Sequence, residues 1–286
     1  MELPDSDSEN ADQIAYWNGV AGDRWTSHQS RQDIVLAPVS ERLIARAGTQ
    51  PNDRVIDVGC GTGAITLALA AMVGGAGHVL GIDISKPMLE RARQRVAGDL
   101  PVSFVLADAT TYPFAPEKAD LVVSRFGVMF FAEPARSFAN IRKAMRRGGR
   151  LVFACWREPK QNPWMLVPLR AAYRHVPKLP QLGPDDPGPF SFASPDRVRA
   201  ILDAAGFADV VIEPHDFELD VAAGEGIETA VEAAASIGPA HRAMEGQDDK
   251  TRAAALASIR EALLQYARGA SVRLGAAIWI VTARAP

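Results

Sequence analysis

The chain has 286 residues, of which 48% are hydrophobic and 23% are charged, and its formal net charge is −3. This composition is typical of a globular protein, and the nearly balanced charge argues against nucleic acid as the partner of the protein as a whole. Cys60 and Cys155 lie far apart and form neither a disulfide framework nor a Cys-x-x-Cys metal motif.

The first fifty residues are expected to form a tail followed by helices. Residues 1–12 are acidic and polar without periodicity, which indicates disorder. They carry neither a basic region nor an apolar run of the secretory type, so we expect a soluble, cytoplasmic protein without a membrane span. Apolar residues at helical spacing predict helical structure over 13–47, which Gly48 ends.

From residue 50 onward, short apolar strands alternate with helices. Strands are predicted at 54–59, 78–85, 102–108, 119–131 and 150–156, and helices at 64–73, 86–97 and 135–146. Ser85 is the predicted N-cap of the second of these helices. Apolar strands that alternate with helices are typical of a parallel sheet covered on both faces, so we predict a doubly wound, Rossmann-like α/β fold.

The pattern changes after Trp156. Eight prolines between Pro159 and Pro189 are incompatible with a central strand or a long helix, and we interpret 157–193 as a proline-rich lid. Ser194 is then the predicted N-cap of a helix that ends near Gly206. A strand at 208–221, helices at 226–244 and 249–268, and a final strand at 273–284 complete the predicted elements.

Three glycines at every second position, Gly59, Gly61 and Gly63, separate the first strand from its helix. Glycine lets the backbone turn sharply and lets a ligand approach without a Cβ in the way. Gly59-x-Gly61-x-x-Ala64 also satisfies the dinucleotide pattern, which leaves an NAD(P)-dependent oxidoreductase open as an alternative. That alternative lacks a Tyr-x-x-x-Lys motif near the fourth and fifth predicted strands.

Two carboxylates near the glycines favour a different ligand. Asp57 precedes the first glycine by two residues, where it would repel a pyrophosphate but could receive an ammonium group. Asp83 ends the second strand, twenty residues past Gly63, and can accept both hydroxyls of a ribose there.

The segments "VIDVGCGTG" (55–63), "GIDIS" (81–85), "LADAT" (106–110) and "DLVVSRFGVMFF" (120–131) together resemble class I S-adenosylmethionine-dependent methyltransferases. Within that class the chain is most similar to the branch of the ubiquinone/menaquinone C-methyltransferases. The resemblance implies a seven-stranded sheet whose antiparallel last strand, 273–284, lies beside 208–221. It also implies S-adenosylmethionine as cofactor and S-adenosylhomocysteine as product. No metal is expected, because the scattered histidines offer no metal-ligand spacing.

The resemblance assigns cofactor contacts residue by residue. The implied set is Asp57, Gly59, Gly61, Gly63, Asp83, Ile84, Asp108, Ala109 and Ser124. In this assignment Asp57 orients the amino group, Asp83 holds the ribose, Ile84 packs on adenine and Asp108 accepts the adenine amino hydrogens. Trp17 and Trp25 lie in a segment that covers the cofactor in similar proteins, where they either attract the sulfonium by cation–π contact or simply pack on the core.

Three residues are candidates for the reaction itself. Arg125 ends an apolar strand, so its guanidinium is expected to meet the cofactor carboxylate, a substrate anion or a nearby acid, and these alternatives stay open. His28 and His175 lie in segments expected to line the pocket, where either could act as a general base.

We therefore predict an enzyme that moves a methyl group to a small, at least partly apolar molecule by in-line displacement. A non-catalytic cofactor-binding protein is the remaining alternative, and the intact carboxylates argue against it. The predicted organisation is a tail with cofactor-covering helices (1–50), a cofactor-binding core (51–156), the lid (157–193) and the rest of the core (194–286), with a helical insertion at 226–268. Neither nucleic acid nor membrane is an expected partner, and a homodimer is left open.

Overall fold

One mostly parallel sheet organises the chain in a computed structural model that describes residues 10–181, 183 and 186–286. Its strands are β1 (Arg54–Val58), β2 (His78–Asp83), β3 (Val102–Leu106), β4 (Ala119–Arg125), β5 (Met145–Trp156), β6 (Ala208–Asp220), β7 (Ala267–Arg268) and β8 (Ser271–Arg284). The strand order is β3-β2-β1-β4-β5-β8-β6, and β7 pairs with β8 outside this path. The pairs among β1 to β5 are parallel, whereas β8 runs antiparallel to both β5 and β6. The predicted Rossmann-like α/β fold and the position of its antiparallel strand are confirmed.

Helices cover both faces of this sheet. They are α1 (Ala11–Asn18), α2 (Val20–Ser27), α3 (Gln29–Val35), α4 (Ala37–Ala47), α5 (Ala64–Val73), α6 (Lys86–Gln94), α7 (Pro134–Ala144), α8 (Pro163–Ala172), α9 (Pro195–Ala204), α10 (Ile227–Ser236), α11 (Pro239–Met244) and α12 (Asp249–Leu264). The core runs through the sheet, with Leu43, Leu69, Phe138 and Phe153 fully buried. Among the described residues, no helix combines the length and apolarity needed to cross a bilayer.

The last two long strands extend beyond the rest of the sheet. β5 ends at Trp156, which pairs with Ile278 of β8, but the β6–β8 ladder continues to the pair of Asp220 and Arg273. Five further residues correspond to roughly 17 Å at the rise of a β-strand. The ladder therefore carries α10, α11 and α12, here called the cap, past the carboxyl ends of the parallel strands.

The amino-terminal expectations need correction. Residues 1–9 lie outside the described residues, but disorder is wrong for 10–12, because Asn10 is buried and α1 begins at Ala11. Helical structure over 13–47 is confirmed, although it is divided among four short helices. Gly48 ends the last of them with a φ of +55°, as its predicted role requires.

Other predicted elements differ locally. Ser85 precedes α6, but its hydroxyl makes no cap bond and instead donates to the Trp17 carbonyl. The strand predicted over 119–131 ends at Arg125 and is followed by a 3₁₀ turn, Gly127–Phe130. The proline-rich segment contains α8, and the helix predicted over 226–244 is two helices. The Ser194 cap is confirmed, because its side chain accepts a hydrogen bond from the Arg197 N–H.

Candidate functional site

The loop between β1 and α5 is built from bare backbone. Gly59, Gly61 and Gly63 have φ values of +66°, +54° and +85°, a region that residues with a Cβ rarely adopt. A Cβ on Gly59 would lie 2.6 Å from the Cα of Gly127, and one on Gly61 would lie 2.8 Å from the Met88 methyl group. A Cβ at Gly59 would therefore collide with backbone, whereas a Cβ at Gly61 would have to displace the end of the Met88 side chain.

Asp83, at the end of β2, holds this loop from the side. Its Oδ2 accepts a 2.7 Å hydrogen bond from the Gly61 N–H, and its Oδ1 accepts a 2.8 Å bond from the Ser85 N–H. Burial raises the pKa of Asp83, and these backbone bonds partly offset the effect. Each carboxylate oxygen has a further lone pair, so the group can still accept hydroxyl hydrogens from a ligand.

Asp57 lies beneath the loop and is only 1% exposed. Its Oδ2 accepts a 2.6 Å hydrogen bond from the Thr66 hydroxyl on α5. The pKa of Asp57 is raised to about 7. Burial is the main cause, and the Thr66 bond and the positive charge of Arg125 lower the pKa in part. A carboxyl group with this pKa is poised to ionise when a cation such as an ammonium group comes close.

Asp108 follows β3 and is also buried. Its carboxylate accepts 2.8 Å and 2.6 Å hydrogen bonds from the Thr110 N–H and from the Asn10 side-chain amide. The side-chain Oδ1 of Asn10 in turn accepts a hydrogen bond from the Ala132 N–H. Ala109 is buried beside this group. Sequence reasoning missed Asn10, because a single asparagine in a polar acidic tail carries no pattern.

Helices α1 and α2 are attached to the segment that follows β2. The Ser85 hydroxyl donates a 2.7 Å bond to the Trp17 carbonyl, and the Asn18 amide donates a 2.8 Å bond to the Ile84 carbonyl. The Lys86 backbone N–H donates a hydrogen bond to the side-chain oxygen of Asn18. These contacts hold the amino-terminal helices against the residues predicted to bind ribose and adenine. Asn18 is a second residue that sequence reasoning missed.

The two predicted tryptophans belong to one aromatic group. The Trp17 ring lies 5.3 Å from Phe130, in the turn after β4, and 6.4 Å from Trp25, with edge-to-face geometry in both cases. This arrangement brings the amino-terminal cover against the carboxyl end of β4. It agrees with ordinary packing as well as with a contact to a sulfonium, so both alternatives stay open.

The end of β4 carries Ser124 and Arg125. The Ser124 hydroxyl is fully buried, donates to the Val58 carbonyl at 2.7 Å and accepts from the Val128 N–H. It therefore ties the ends of β1 and β4 together. The Arg125 guanidinium donates a 2.7 Å bond to the Ser40 hydroxyl, and among the described residues no carboxylate forms an ion pair with it. Burial lowers the pKa of Arg125, although Asp33 and Asp57 partly offset this effect.

The two predicted histidines lie apart. His28 ends α2, with its Nδ1 2.9 Å from the Arg24 carbonyl and its Nε2 4.0 Å from the Glu232 carboxylate of α10. His175 is exposed after α8, and its Nε2 lies 2.8 Å from the Ser258 hydroxyl. This placement of His175 does not favour a general base, and for both residues that role stays a prediction. A third histidine, the buried His241 of α11, escaped sequence reasoning because the histidines are scattered.

Comparison with known proteins identifies the family of the chain. Residues 55–149 match the family described as "Methyltransferase domain". The chain is 32% identical over 207 residues to a demethylmenaquinone methyltransferase of Clavibacter sepedonicus, which covers 66% of this chain and 81% of the relative. It is 34% identical over 120 residues to the aklanonic acid methyltransferase DauC of Streptomyces sp. (strain C5), over 41% of this chain and 54% of that relative.

A solved structure supports the fold. Phosphoethanolamine N-methyltransferase 2 of Haemonchus contortus, in complex with phosphomonomethylethanolamine and S-adenosylhomocysteine, superposes with a TM-score of 0.58 and 16% identity, over 98% of this chain and 60% of that one. The chain belongs to the class I S-adenosylmethionine-dependent methyltransferases. It is therefore a methyl-transferring enzyme, and the comparisons favour this class over the oxidoreductase and the non-catalytic alternatives.

Proposed function

We propose that this methyltransferase binds S-adenosylmethionine along the carboxyl ends of β1 to β4 and methylates a small, partly apolar acceptor beneath the cap. The proposal is carried by one observation, the left-handed glycine loop that lies between the carboxylates of Asp57 and Asp83. In open α/β sheets, ligands bind at the carboxyl ends of the strands, where the strand order reverses.

The residues present fit this cofactor. The bare loop leaves room that a Cβ would fill, and the carboxylates are acceptors for ammonium, hydroxyl and amino donors. We assign cofactor binding to Asp57, Gly59, Gly61, Gly63, Asp83, Ile84, Asp108 and Ala109, with Trp17 and Trp25 in the cover. In this assignment Ser124 acts by holding β1 and β4 together, because its hydroxyl is already bonded on both sides.

The cofactor supplies an activated methyl group, so the chain's main task is to position the reactants. In the proposal Asp57 fixes the amino end of the ligand, Asp83 the ribose and Asp108 the adenine end, and the aromatic group of Trp17, Trp25 and Phe130 keeps water from the reacting centre. Alignment of this kind contributes on the order of 7–11 kcal/mol in well-oriented systems. In the proposal Arg125 provides positive charge at the end of β4, and the cap together with 157–193 selects the acceptor.

Relatives suggest which acceptors to test first. Two of them are named for demethylmenaquinone and for aklanonic acid, which supports trials of these two compounds as acceptors. Formation of S-adenosylhomocysteine from S-adenosylmethionine in the presence of each compound is the direct measurement. Release of S-adenosylhomocysteine above the acceptor-free rate supports the small-molecule assignment. No increase with either compound counts against these two acceptors.

Calorimetric titration of the full chain tests the cofactor assignment. We expect S-adenosylhomocysteine to bind with a stoichiometry of one and NAD to give no binding heat. Binding of NAD without binding of S-adenosylhomocysteine would overturn the proposal and restore the oxidoreductase alternative.

A further inference from the structure

A cleft of about 230 Å³ separates the amino-terminal helices from the cap. One wall comes from α1 and α2 and the other from the segment that joins α10 to α11 and from α11 itself. The side chains that carry its chemistry are Tyr16, Arg24, Trp25, His241, Arg242 and Glu245. None of these residues belongs to the cofactor site proposed above except Trp25, which lies in its cover.

The cleft has an excess of positive charge. Arg24 and Arg242 contribute two guanidinium groups, and Glu245 contributes one carboxylate. Arg24 donates a 3.2 Å bond to Glu245, whereas the Arg242 guanidinium has no hydrogen bond or ion pair with any described residue. One positive charge is therefore left over at the cleft, on a side chain that is free to bind an anion.

His241 fixes the position of Arg24. Its Nδ1 lies 2.7 Å from the Ala235 carbonyl, which only accepts hydrogen bonds, so Nδ1 carries the proton and Nε2 accepts from Arg24. The ring is only 5% exposed, and burial lowers the pKa of His241, although the Ala235 bond and the Glu245 carboxylate 3.4 Å from Nε2 partly offset this effect. His241 is thus a positioning residue that holds the Arg24 guanidinium beside the cleft without adding charge.

Aromatic side chains provide the rest of the surface. Tyr16 is 45% exposed, and its ring makes an edge contact of 5.2 Å with Trp17. Trp25 lines the cleft and contacts Trp17 as well. Faces of this kind favour a flat ring, and the guanidinium groups favour a carboxylate or phenolate attached to it.

We propose that this cleft binds a planar aromatic monoanion and that this ligand is the methyl acceptor. The second part rests on the proposed function. The same α1–α2 unit that forms one wall is bonded to the loop after β2 through Trp17 and Asn18, next to Asp83. The opposite wall is the cap, which follows the extended β6–β8 ladder over the carboxyl ends of the strands.

A pair of probes that differ only in charge tests the first part. 2-Naphthoate is an aromatic monoanion, and 2-naphthamide is its neutral counterpart of nearly the same shape. Titrations that follow tryptophan fluorescence should show at least about ten-fold tighter binding of the naphthoate, because charge-assisted bonds to a guanidinium are strong. Equal affinities for the two probes would overturn the proposal.

Variants locate the site. Arg242→Gln removes the free guanidinium without breaking an existing side-chain bond, and it should bring the affinity ratio of the two probes close to one. His241→Asn retains a donor for the Ala235 carbonyl but releases Arg24, and it should lower the ratio without loss of the fold. Arg147→Gln, at an exposed position of β5 outside the cap and the 157–193 segment, is the control of equal charge change and should leave the ratio unchanged. If Arg242→Gln still binds 2-naphthoate at least about ten-fold more tightly than 2-naphthamide, the anion binds elsewhere and the proposal is refuted.

The claim that the cleft ligand is the methyl acceptor is tested by measuring whether S-adenosylhomocysteine changes the affinity for 2-naphthoate. An acceptor that binds beside the same amino-terminal cover should bind at least about three-fold tighter when S-adenosylhomocysteine is present. Identical naphthoate affinity with and without it would refute the acceptor role. If S-adenosylhomocysteine itself fails to bind, the proposed function fails, while the ratio of the two probes still decides whether the cleft is an anion site.

Discussion

The side-chain amide of Asn10 donates a 2.6 Å hydrogen bond to the buried carboxylate of Asp108. Asn10 directly precedes α1 and Asp108 lies two residues after the end of β3, so this bond fastens the amino-terminal segment to the position proposed for adenine. The adenine amino group and the Asn10 amide are both N–H donors, and both suit the same carboxylate oxygen. In the free enzyme, the Asn10 amide therefore occupies the Asp108 oxygen that could also accept a hydrogen bond from the adenine amino group.

Replacement of Asn10 should destabilise the free enzyme more than the complex. Asn10→Ala leaves the Asp108 carboxylate and the Ala132 N–H without these partners, which costs about 1–3 kcal/mol for buried polar groups. Thermal unfolding with and without saturating S-adenosylhomocysteine measures the effect, and we expect the fall in Tm to shrink when the ligand supplies a donor to Asp108. An equal fall under both conditions would show that adenine does not reach this carboxylate.

Loss of the Asp83 charge should weaken cofactor binding strongly. Asp83→Asn keeps the size of the side chain but removes acceptors for the ribose and disturbs the bonds from Gly61 and Ser85. We expect affinity for S-adenosylhomocysteine to fall by about 10–100-fold in calorimetric titrations, in line with charged hydrogen bonds of about 1.5–3 kcal/mol. Asp203→Asn, at an exposed position of α9, is the control. Unchanged affinity in Asp83→Asn would contradict the assignment.

The succession of strands and helices along the chain could be predicted from the sequence because each element leaves a local signal, whereas the place of the antiparallel strand came from the family resemblance. Apolar runs such as 119–125, bounded by charged and turn residues, mark buried parallel strands, and the motifs at their carboxyl ends identify the family. The glycine loop and Asp83 could be placed for the same reason. Their signals lie within a few residues of each other and of a strand end.

Contacts between distant segments left no such signal. Asn10 meets Asp108 across 98 residues, and Arg24 meets Glu245 across 221 residues. The hydroxyl of Ser85 illustrates the same point, since the local pattern predicts a helix cap, whereas Trp17 accepts its hydrogen bond. Sequence patterns give the type and approximate position of elements, but the partners of single polar side chains depend on tertiary packing.

Comparison of two glycines separates backbone strain from steric contact. Gly59 and Gly98 have nearly the same φ, +66° and +63°, but a Cβ would lie 2.6 Å from Gly127 at the first and meet nothing within 4 Å at the second. We expect Gly98→Ala to cost about 1–2 kcal/mol from the left-handed conformation alone. Gly59→Ala should cost more and should also abolish binding of S-adenosylhomocysteine. Urea unfolding and calorimetry measure the two effects, and equal costs for both variants would contradict the close approach at Gly59.

The raised pKa of Asp57 predicts opposite pH effects on stability and on binding. Its folded-state pKa of about 7 exceeds the ordinary value of 3.8, so between these pH values the native state holds more protons than the unfolded state and stability falls as pH rises. Asp57→Asn removes this penalty. The variant should be more stable than the wild type by up to a few kcal/mol at pH 8, with no gain below pH 4, as measured by urea unfolding.

The affinity for S-adenosylhomocysteine should increase as pH rises, whereas the stability of the folded protein falls. As pH rises from 6 to 8, Asp57 ionises and can hold the ammonium group of S-adenosylhomocysteine, so wild-type affinity should increase by up to about ten-fold. Burial raises the pKa of Asp83 as well, so Asp57→Asn should flatten this dependence without removing it entirely. Calorimetric titrations at several pH values measure both proteins. An unchanged pH dependence in Asp57→Asn would show that this carboxyl group does not face the amino group.

Arg125 should tune Asp57 through its charge. The guanidinium lowers the pKa of Asp57, so Arg125→Gln should raise that pKa further and move the midpoint of the pH-dependent binding to higher pH, by roughly half a unit to one unit. Arg260→Gln, on the exposed face of α12, provides a control of equal charge change at a distant site. If Arg125 also binds the cofactor carboxylate directly, affinity should in addition fall by a similar factor at every pH. Titrations from pH 6 to 8 separate the two effects, because a charge that acts through Asp57 displaces the midpoint, and an unchanged midpoint in Arg125→Gln would contradict this coupling.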